Sequence, residues 1–322
     1  MPSGAKSVKR GAYSHEQYSA AIIRTFFKEV IDDNKFIRTN AGITADDVAG
    51  LLEGNPKLGS HLFWRDILTS QMDVDRMDYL LRDSYHCGVR YGVYDLDRLL
   101  HTIAITEEIP EPNDDSSKDS LGLAIGVEEG GLHAAEELIL SRYAMFTQVY
   151  FHKTRRAYDH HLEQVLSNSL KEGRFPPPDK KKNLQDYLAW DDWRVMGIIM
   201  SNKSAEHAGR IRERDHYREV YHTDEVPSLG GDDLFRTVAN ALGDLVKHED
   251  SADKSWYKFE REEIVVERDD NSRVLLSEIC PSVKGLSGVK QKRLYVDGTD
   301  KDRARQIIDR IDMNEVKADG DS

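Results

Sequence analysis

The segment Gln71–Val89 (QMDVDRMDYLLRDSYHCGV) constrains this chain more than any other. At about 100° per residue, Val74, Met77, Leu80, Leu81 and Ser84 fall on one side of a helix. Asp75, Arg76, Tyr79 and Asp83 fall on the other. Asp75, Tyr79 and Asp83 stand at i, i+4 and i+8, so their side chains form a ladder along one stripe. A carboxylate can hold a hard metal ion, an arginine can neutralise phosphate, and a Tyr–Asp pair can hydrogen-bond a sugar hydroxyl. On periodicity alone, a solvated face laced with ion pairs is the commoner outcome for such a stripe. Asp73 falls on the apolar side, so it needs a partner, either a helix cap or an arginine.

Helical spacing dominates the first two thirds of the chain. Residues 1–12 read as a flexible leader. Ser14 is placed to cap a helix carrying Tyr18, Ala21, Ile22, Phe26 and Ile31. Thr44–Asp47 opens a short helix that stops near Gly54. Residues 71–86 and 95–105 read as further helices, and 111–119 (EPNDDSSKD) as a polar loop. Residues 121–127 read as a short strand or buried turn. A helical tract from Glu128 to about Glu172 is broken by the prolines of RFPPPDKKK, residues 174–182. Helices are predicted again over 183–200, 203–219 and 232–248. Strands are predicted at 257–268, 273–279 and 293–296, and a last helix at 300–312. The fold class that follows is mainly α: a helical domain over 13–230 with a small α+β appendage over 231–322.

Composition narrows the function. Of 322 residues, 45 are Lys or Arg and 58 are Asp or Glu, a formal charge of −13. Such an acidic chain is not expected to bind duplex nucleic acid, which draws on excess cations, though a local basic pocket could take a small phosphorylated ligand. No apolar run is long enough to span a bilayer, and no membrane association is expected. The two cysteines exclude a disulfide scaffold and fit a reducing compartment, so a cytoplasmic location is expected.

DVDRMDYLLRDSYHCGV resembles the signature helix of HD-superfamily phosphohydrolases of the deoxynucleoside triphosphate triphosphohydrolase (dGTPase-like) type. Three more segments are similar to that family: SHEQYS at 14–19, RYAMFTQVYFHKTRR at 142–156 and DYLAWDDWRVMG at 186–197. The resemblance spans roughly residues 13–200 and implies an HD-domain-like helical bundle. It implies Asp75 as a metal ligand, Arg76 and Arg142 on substrate phosphates, and His15 beside the phosphate under attack. It places Tyr79, Asp83 and Tyr150 near the deoxyribose, with His152 and Lys153 as a polar pair at a nucleotide site. Phe146 stands where some members carry a histidine. The implied reaction is attack of water on the α-phosphorus of a dNTP, giving deoxynucleoside and triphosphate. The implied cofactor is a divalent metal (Mg, Mn or Fe), and the implied assembly is a homo-oligomer. This reading requires the Asp75 carboxylate to share a cavity with Arg76, Tyr79 and His15.

One departure matters. The family's metal is also held by an early histidine and a His-Asp dipeptide, and this sequence contains no His-Asp dipeptide. The chain is therefore expected to be one part of a split or truncated enzyme, in a hetero-complex with a subunit that supplies those ligands. The alternative is a non-catalytic nucleotide-binding or assembly subunit. His160 and His161 are adjacent and point about 100° apart on a helix, so a structural or surface role is expected for them. His207, His216 and His222 are expected to be satisfied singly, and Trp190 and Trp193 to pack in a core.

Overall fold

The protein is described by a computed structural model covering residues 13–40, 42–109, 122–201, 205–226, 230–252, 263–286 and 288–311. The leader and the polar loop at 111–119 lie outside the described residues.

The first helix, α1 (His15–Ile22), starts where the sequence says it should. Ser14 Oγ accepts from the Gln17 amide, and Gln17 returns the bond to the Ser14 amide, which satisfies two donors that a helix start leaves open. A π turn at Ile23–Phe27 leads into α2 (Lys28–Asp32) and then α3 (Lys35–Asn40). α4 (Ala45–Glu53) is opened by a Thr44–Asp47 capping box and closed by Gly54 at φ 68°, a left-handed position that glycine fills at little cost. The Tyr18 ring stacks on Tyr187 at 4.1 Å, and its hydroxyl donates to the Pro176 carbonyl at 2.7 Å. These contacts fasten α1 to the proline segment 158 residues away.

A 3-10 stretch at Pro56–Arg65 and α5 (Asp66–Thr69) lead to α6 (Val74–Cys87). Met77, Leu80 and Ser84 of α6 are buried against Tyr94, Leu99, Leu138, Ile139 and Met145. The loop after α6 folds back onto it. Tyr94 Oη donates to the Met77 carbonyl at 2.9 Å, and Ser84 Oγ donates to the Val89 carbonyl at 2.7 Å. At Gly92 a Cβ would lie 2.2 Å from the Leu80 carbonyl oxygen, so only glycine permits this approach.

α7 (Leu96–Thr102) ends earlier than its apolar spacing predicts, and β1 (Ile103–Glu107) follows. β1 pairs antiparallel with β2 (Leu123–Glu128), Ile103 opposite Val127 and Ile105 opposite Ile125. Pairing these β-branched residues across a sheet, with Val127 buried and Ile105 left exposed, replaces the last turn of the helix. The expected long helix after 128 is interrupted. α8 (Leu132–Met145) runs into a π turn at Phe146–Tyr150, and α9 (Lys153–Ser169) begins afresh. His152 makes the break as N-cap, its Nδ1 accepting from the Thr154 amide at 3.3 Å.

α10 (Lys181–Leu188), α11 (Asp192–Ser201) and α12 (Glu206–Arg212) follow the prolines. The helix expected to 219 stops at Arg212, and β3 (Arg218–His222) takes its place because it has a partner in β7. α13 (Gly231–Leu242) likewise ends before β4 (Val246–Ser251). β5 (Val265–Glu267) and β6 (Arg273–Leu275) form the expected hairpin about residues 269–272. Residues 276–279, expected to extend that strand, instead turn into α14 (Leu276–Ile279), with α15 (Pro281–Lys284) behind it. β7 (Lys292–Val296) and α16 (Lys301–Ile308) stand where the alternation and spacing put them.

The strands form two sheets, in the orders β1-β2-β5-β6 and β3-β7-β4. Each takes strands from both sides of residue 230, so neither lies wholly in the helical region or wholly in the C-terminal segment. The first sheet shares the core of α6 and α8, through Val127, Ile264 and Val266. The second packs on α13 and α16 through Val238, Leu242, Leu294, Val296 and Ala304. The architecture is mainly α with small sheets. Among the described residues, no helix is long and apolar enough to cross a membrane.

Candidate functional site

Asp73 settles its own question. It is 5% exposed, caps α6 by accepting from the Arg76 amide at 2.7 Å, and pairs with Arg76 Nη1 at 3.2 Å. Burial pushes its carboxyl upward, and the Arg76 amide, Arg76 and Arg142 pull it back. Arg76 also donates to the Ser70 carbonyl. The guanidinium is thereby fixed beside the start of α6 instead of trailing into water.

Two residues of the stripe, Tyr79 and Asp83, meet the π turn at Tyr150. Tyr150 Oη donates to Asp83 Oδ2 at 2.9 Å, and the Tyr79 and Tyr150 rings meet edge-to-face at 5.8 Å. Both phenols are half-buried, and burial raises both hydroxyls; for Tyr150 the Asp83 carboxylate adds to the rise. For Tyr79 the rise is opposed by Arg142 and Arg76, so two cations lie within electrostatic reach of its ring. Arg142 Nη1 donates to Gln71 Oε1 at 2.8 Å. The group Arg76–Tyr79–Asp83–Arg142–Tyr150 is thus a half-buried polar cluster, a recess only in that none of its side chains is fully covered, with cations toward the N-terminal end of α6 and hydrogen-bonding phenols and a carboxylate toward its middle. Such a recess can bind an anion at one end and a hydroxyl at the other.

Two residues escaped the sequence reading. Gln71 holds Arg142, and Arg155 lies over the Tyr150 ring at 5.6 Å while donating to the Tyr150 carbonyl at 2.7 Å. Arg155 lies beyond the break between the π turn and α9, and helical spacing across that break carries no signal. The outward half of the stripe behaves as an ordinary charged face. Arg82 is exposed and pairs with Asp78 at 2.9 Å and with Asp83 at 3.0 Å.

Asp75 is exposed, near enough to Tyr79 and Asp73 to act on both electrostatically. His15 is exposed as well, at the first turn of α1, where it pairs with its neighbour Glu16 at 3.0 Å. No hydrogen bond or ion pair among the described residues joins His15 to Asp75, and both side chains are exposed, so the cavity expected to hold the two together is not formed by these residues. His152 is spent as a helix cap. Lys153 lines a separate cavity of about 100 Å³ with Thr154, His216, Arg218, Lys301 and Arg305, a basic recess between α9 and the second sheet. Phe146 stacks on Phe151 at 5.5 Å in a small apolar cluster with Ala252 and Val289. Trp193, expected in a core, is 85% exposed. Trp190 is half-buried, with the Arg194 guanidinium 4.1 Å over its ring.

The histidines also differ from expectation. His161 is fully buried, and its Nδ1 lies 2.8 Å from Nδ1 of His207, brought from α12. His160 lies beside both, stacked on His248 at 4.0 Å. His207 is therefore not satisfied singly, and of the two roles expected for His160 and His161 the structural one fits, with His161 buried and His160 half-buried.

Residues 95–244 match the family described as HD associated region. Arg142, Tyr150, His152 and Lys153 fall inside this HD-associated stretch, and the α6 residues precede it. The chain is 40% identical over 100 residues to the uncharacterized protein YwfO of Bacillus subtilis, covering 31% of this chain and 20% of that one. It is 33% identical over 155 residues to the uncharacterized protein MJ1154 of Methanocaldococcus jannaschii, covering 48% and 29% respectively. The chain thus spans under a third of these curated relatives. Among solved structures it is similar to a hypothetical protein from Aquifex aeolicus, with a TM-score of 0.67 and 25% identity over 92% of this chain and 75% of that one. It shares its fold with a phosphohydrolase from Bacteroides thetaiotaomicron, with a TM-score of 0.51 and 18% identity over 90% of this chain and 82% of that one.

Proposed function

We propose that the chain carries the nucleotide-binding side of an HD-type phosphohydrolase site for deoxynucleoside triphosphates. The observation that supports this best is the Tyr79–Asp83–Tyr150 contact beside two fixed cations. Arg76 and Arg142 neutralise the phosphate chain, and Asp83, flanked by the two phenols, accepts from the sugar 3′-hydroxyl. With Tyr79 and Tyr150 packed edge-to-face, little room is left at the 2′ position, which favours deoxyribose. The reaction proposed for the whole site is water attack on the α-phosphorus, releasing deoxynucleoside and triphosphate. Because Asp75 and His15 are both exposed and unjoined, this chain contributes the binding groups, and the group that activates water comes from outside the described residues. Arginines fixed before the substrate arrives stabilise developing charge without reorganising. Lys153, in its own basic cavity, meets the phosphates of a nucleotide there and not at Tyr79. His15 and His152, tied to Glu16 and to the α9 cap, are given no part in this reading.

A divalent metal fits this site only in part. Asp75 offers one oxygen ligand, and among the described residues no imidazole or carboxylate joins it in a metal-sized group. A catalytic divalent site commonly takes three protein ligands. We therefore propose that the remaining ligands come from outside the described residues, from further sequence of the same protein or from a partner subunit.

The test is triphosphate and deoxynucleoside release from dNTPs by the native assembly, with ribonucleotides as controls. Hydrolysis lost in Asp83→Ala and retained for dNTPs over ribonucleotides is the expected result. Equal use of both sugars, or full activity in Asp83→Ala, would end the proposal. The exposed, singly standing Asp75 favours a second reading, a nucleotide-binding or assembly subunit that does no chemistry. That reading expects saturable dNTP binding by the assembly with no triphosphate release under any divalent metal.

A further inference from the structure

We infer that His160, His161 and His207 form a binding site for a Zn²⁺-class transition metal, separate from Asp75 and its neighbours. Each offers a ring nitrogen, and these nitrogens lie within 4.8 Å of one another. Two helices supply them: α9 gives His160 and His161, and α12 gives His207. The inference does not depend on the nucleotide reading.

The geometry has the right scale. The ring centroids form a triangle with sides of 5.6, 5.4 and 5.1 Å. Three imidazoles on a tetrahedral ion with bonds of about 2.0–2.1 Å have centroids about 5 Å apart. The nitrogens themselves would stand about 3.3 Å apart in that arrangement. The His161–His207 pair at 2.8 Å opens slightly, and His160 closes from a longer distance by rotating its side chain. Adjacent histidines need not share one helix face for this, because the third ligand comes from another helix and the ion sits between them.

Chemistry points the same way. A transition metal needs neutral imidazole. Burial, with the neighbouring histidines adding to it, pushes His160 down to about 4 and His161 down to about 3, and burial also lowers His207. Burial thus favours the neutral form of imidazole that such an ion needs. Glu206 acts on His161 and His207, and Glu163 and Asp250 on His160, which favours a cation; Arg210 opposes it. His248, outside this set of three, stacks on His160, and a fourth position would be left for water or another ligand.

The competing arrangement is a metal-free hydrogen-bonded trio. The Tyr217 amide donates to His161 Nε2 at 3.3 Å, which puts the His161 proton on Nδ1, shared with His207. Metal at Nδ1 moves that proton to Nε2 and forfeits the amide bond. The amide bond lost is one neutral hydrogen bond, whereas binding of a metal to ligands brought together by the fold adds directly to folding stability, so the metal prevails where it is available. Bound there, it would clamp α9 to α12.

The full chain, stripped with chelator at pH 7.5 and titrated with Co²⁺, tests this through the visible d–d spectrum, Zn²⁺ competition and metal content. One Co²⁺ per chain, displaced by Zn²⁺, with a rise in Tm, is expected. His160→Gln and His207→Gln, each checked for folding by circular dichroism, should weaken binding by more than the roughly 10–100-fold that outer-shell changes cause. His248→Gln, outside the ligand set, should fall within that range. The inference is overturned if the folded chain takes up no Co²⁺. It is equally overturned if uptake survives both ligand substitutions, or if Asp75→Asn abolishes it.

Discussion

The recess at Tyr79 and the histidine cluster at His161 are both built where one helix meets another, and they are electrostatic opposites. At the recess the groups are charged, half-buried and paired: Arg76 with Asp73, Arg142 with Gln71, Asp83 with Tyr150. At the cluster His161 is fully buried, His160 and His207 are half-buried, burial favours the neutral rings, and His161 meets His207 nitrogen to nitrogen. The contrast follows from what each group loses on leaving water. A guanidinium or carboxylate keeps its charge only with a partner or at an opening, whereas an imidazole can shed its proton and be buried outright. The first arrangement suits an anionic ligand that arrives and leaves, and the second a cation that stays.

That contrast can be broken or sharpened. The largest effect is expected from Arg142→Ala in the native assembly. Loss of a fixed cation facing the phosphates should lower kcat/KM for dNTP hydrolysis by about 10²–10³ and leave Co²⁺ uptake by the histidines intact. If hydrolysis is unchanged, Arg142 serves only Gln71. Next is Gly92→Ala, whose Cβ would press on the Leu80 carbonyl. It should destabilise the chain by about 1–3 kcal/mol, read as a lower urea midpoint, because α6 must shift. A midpoint equal to that of the unaltered chain would mean the loop is looser than the contact implies.

Acid should then find the cluster before the recess. His160 and His161 titrate lower folded than unfolded, so the unfolded chain binds more protons below pH 6.5. The stability these groups contribute is whole above about pH 6.5 and falls as pH drops through about 4. A fall in Tm on the order of 5 °C over that interval is expected, flattened in His160→Gln. A Tm independent of pH over that interval would mean the rings are not buried neutral. The smallest effect is expected from Tyr150→Phe. It removes one hydrogen bond to Asp83, worth about 1 kcal/mol, so dNTP affinity should drop roughly fivefold. No change would place the sugar elsewhere.

Much of the recess was legible because its information is local. Tyr79 and Asp83 sit four residues apart on one helix, and Asp73 betrayed its cap by standing on the apolar side, whereas Asp75, on the same stripe, is exposed. The capping boxes at Ser14 and Thr44 and the stop at Gly54 were equally local. The strand at 103–107 was hidden because its partner begins 16 residues further on, and the helix end at Arg212 because β3 pairs with β7, more than 70 residues away. Trp193 was misplaced because an aromatic on a helical stripe reads as core whether or not anything covers it.

Helix starts and stops, the two faces of α6 and the mainly helical class are therefore set by the amino-acid order itself, since backbone capping and side-chain spacing act within a few residues. Tertiary structure alone decided which strands joined which sheet, which cations reached Tyr79, and that a histidine 46 positions from His161 would meet it nitrogen to nitrogen. Those contacts depend on how the elements pack in space, and no short stretch of sequence encodes the distance between residues that meet only when the chain has folded.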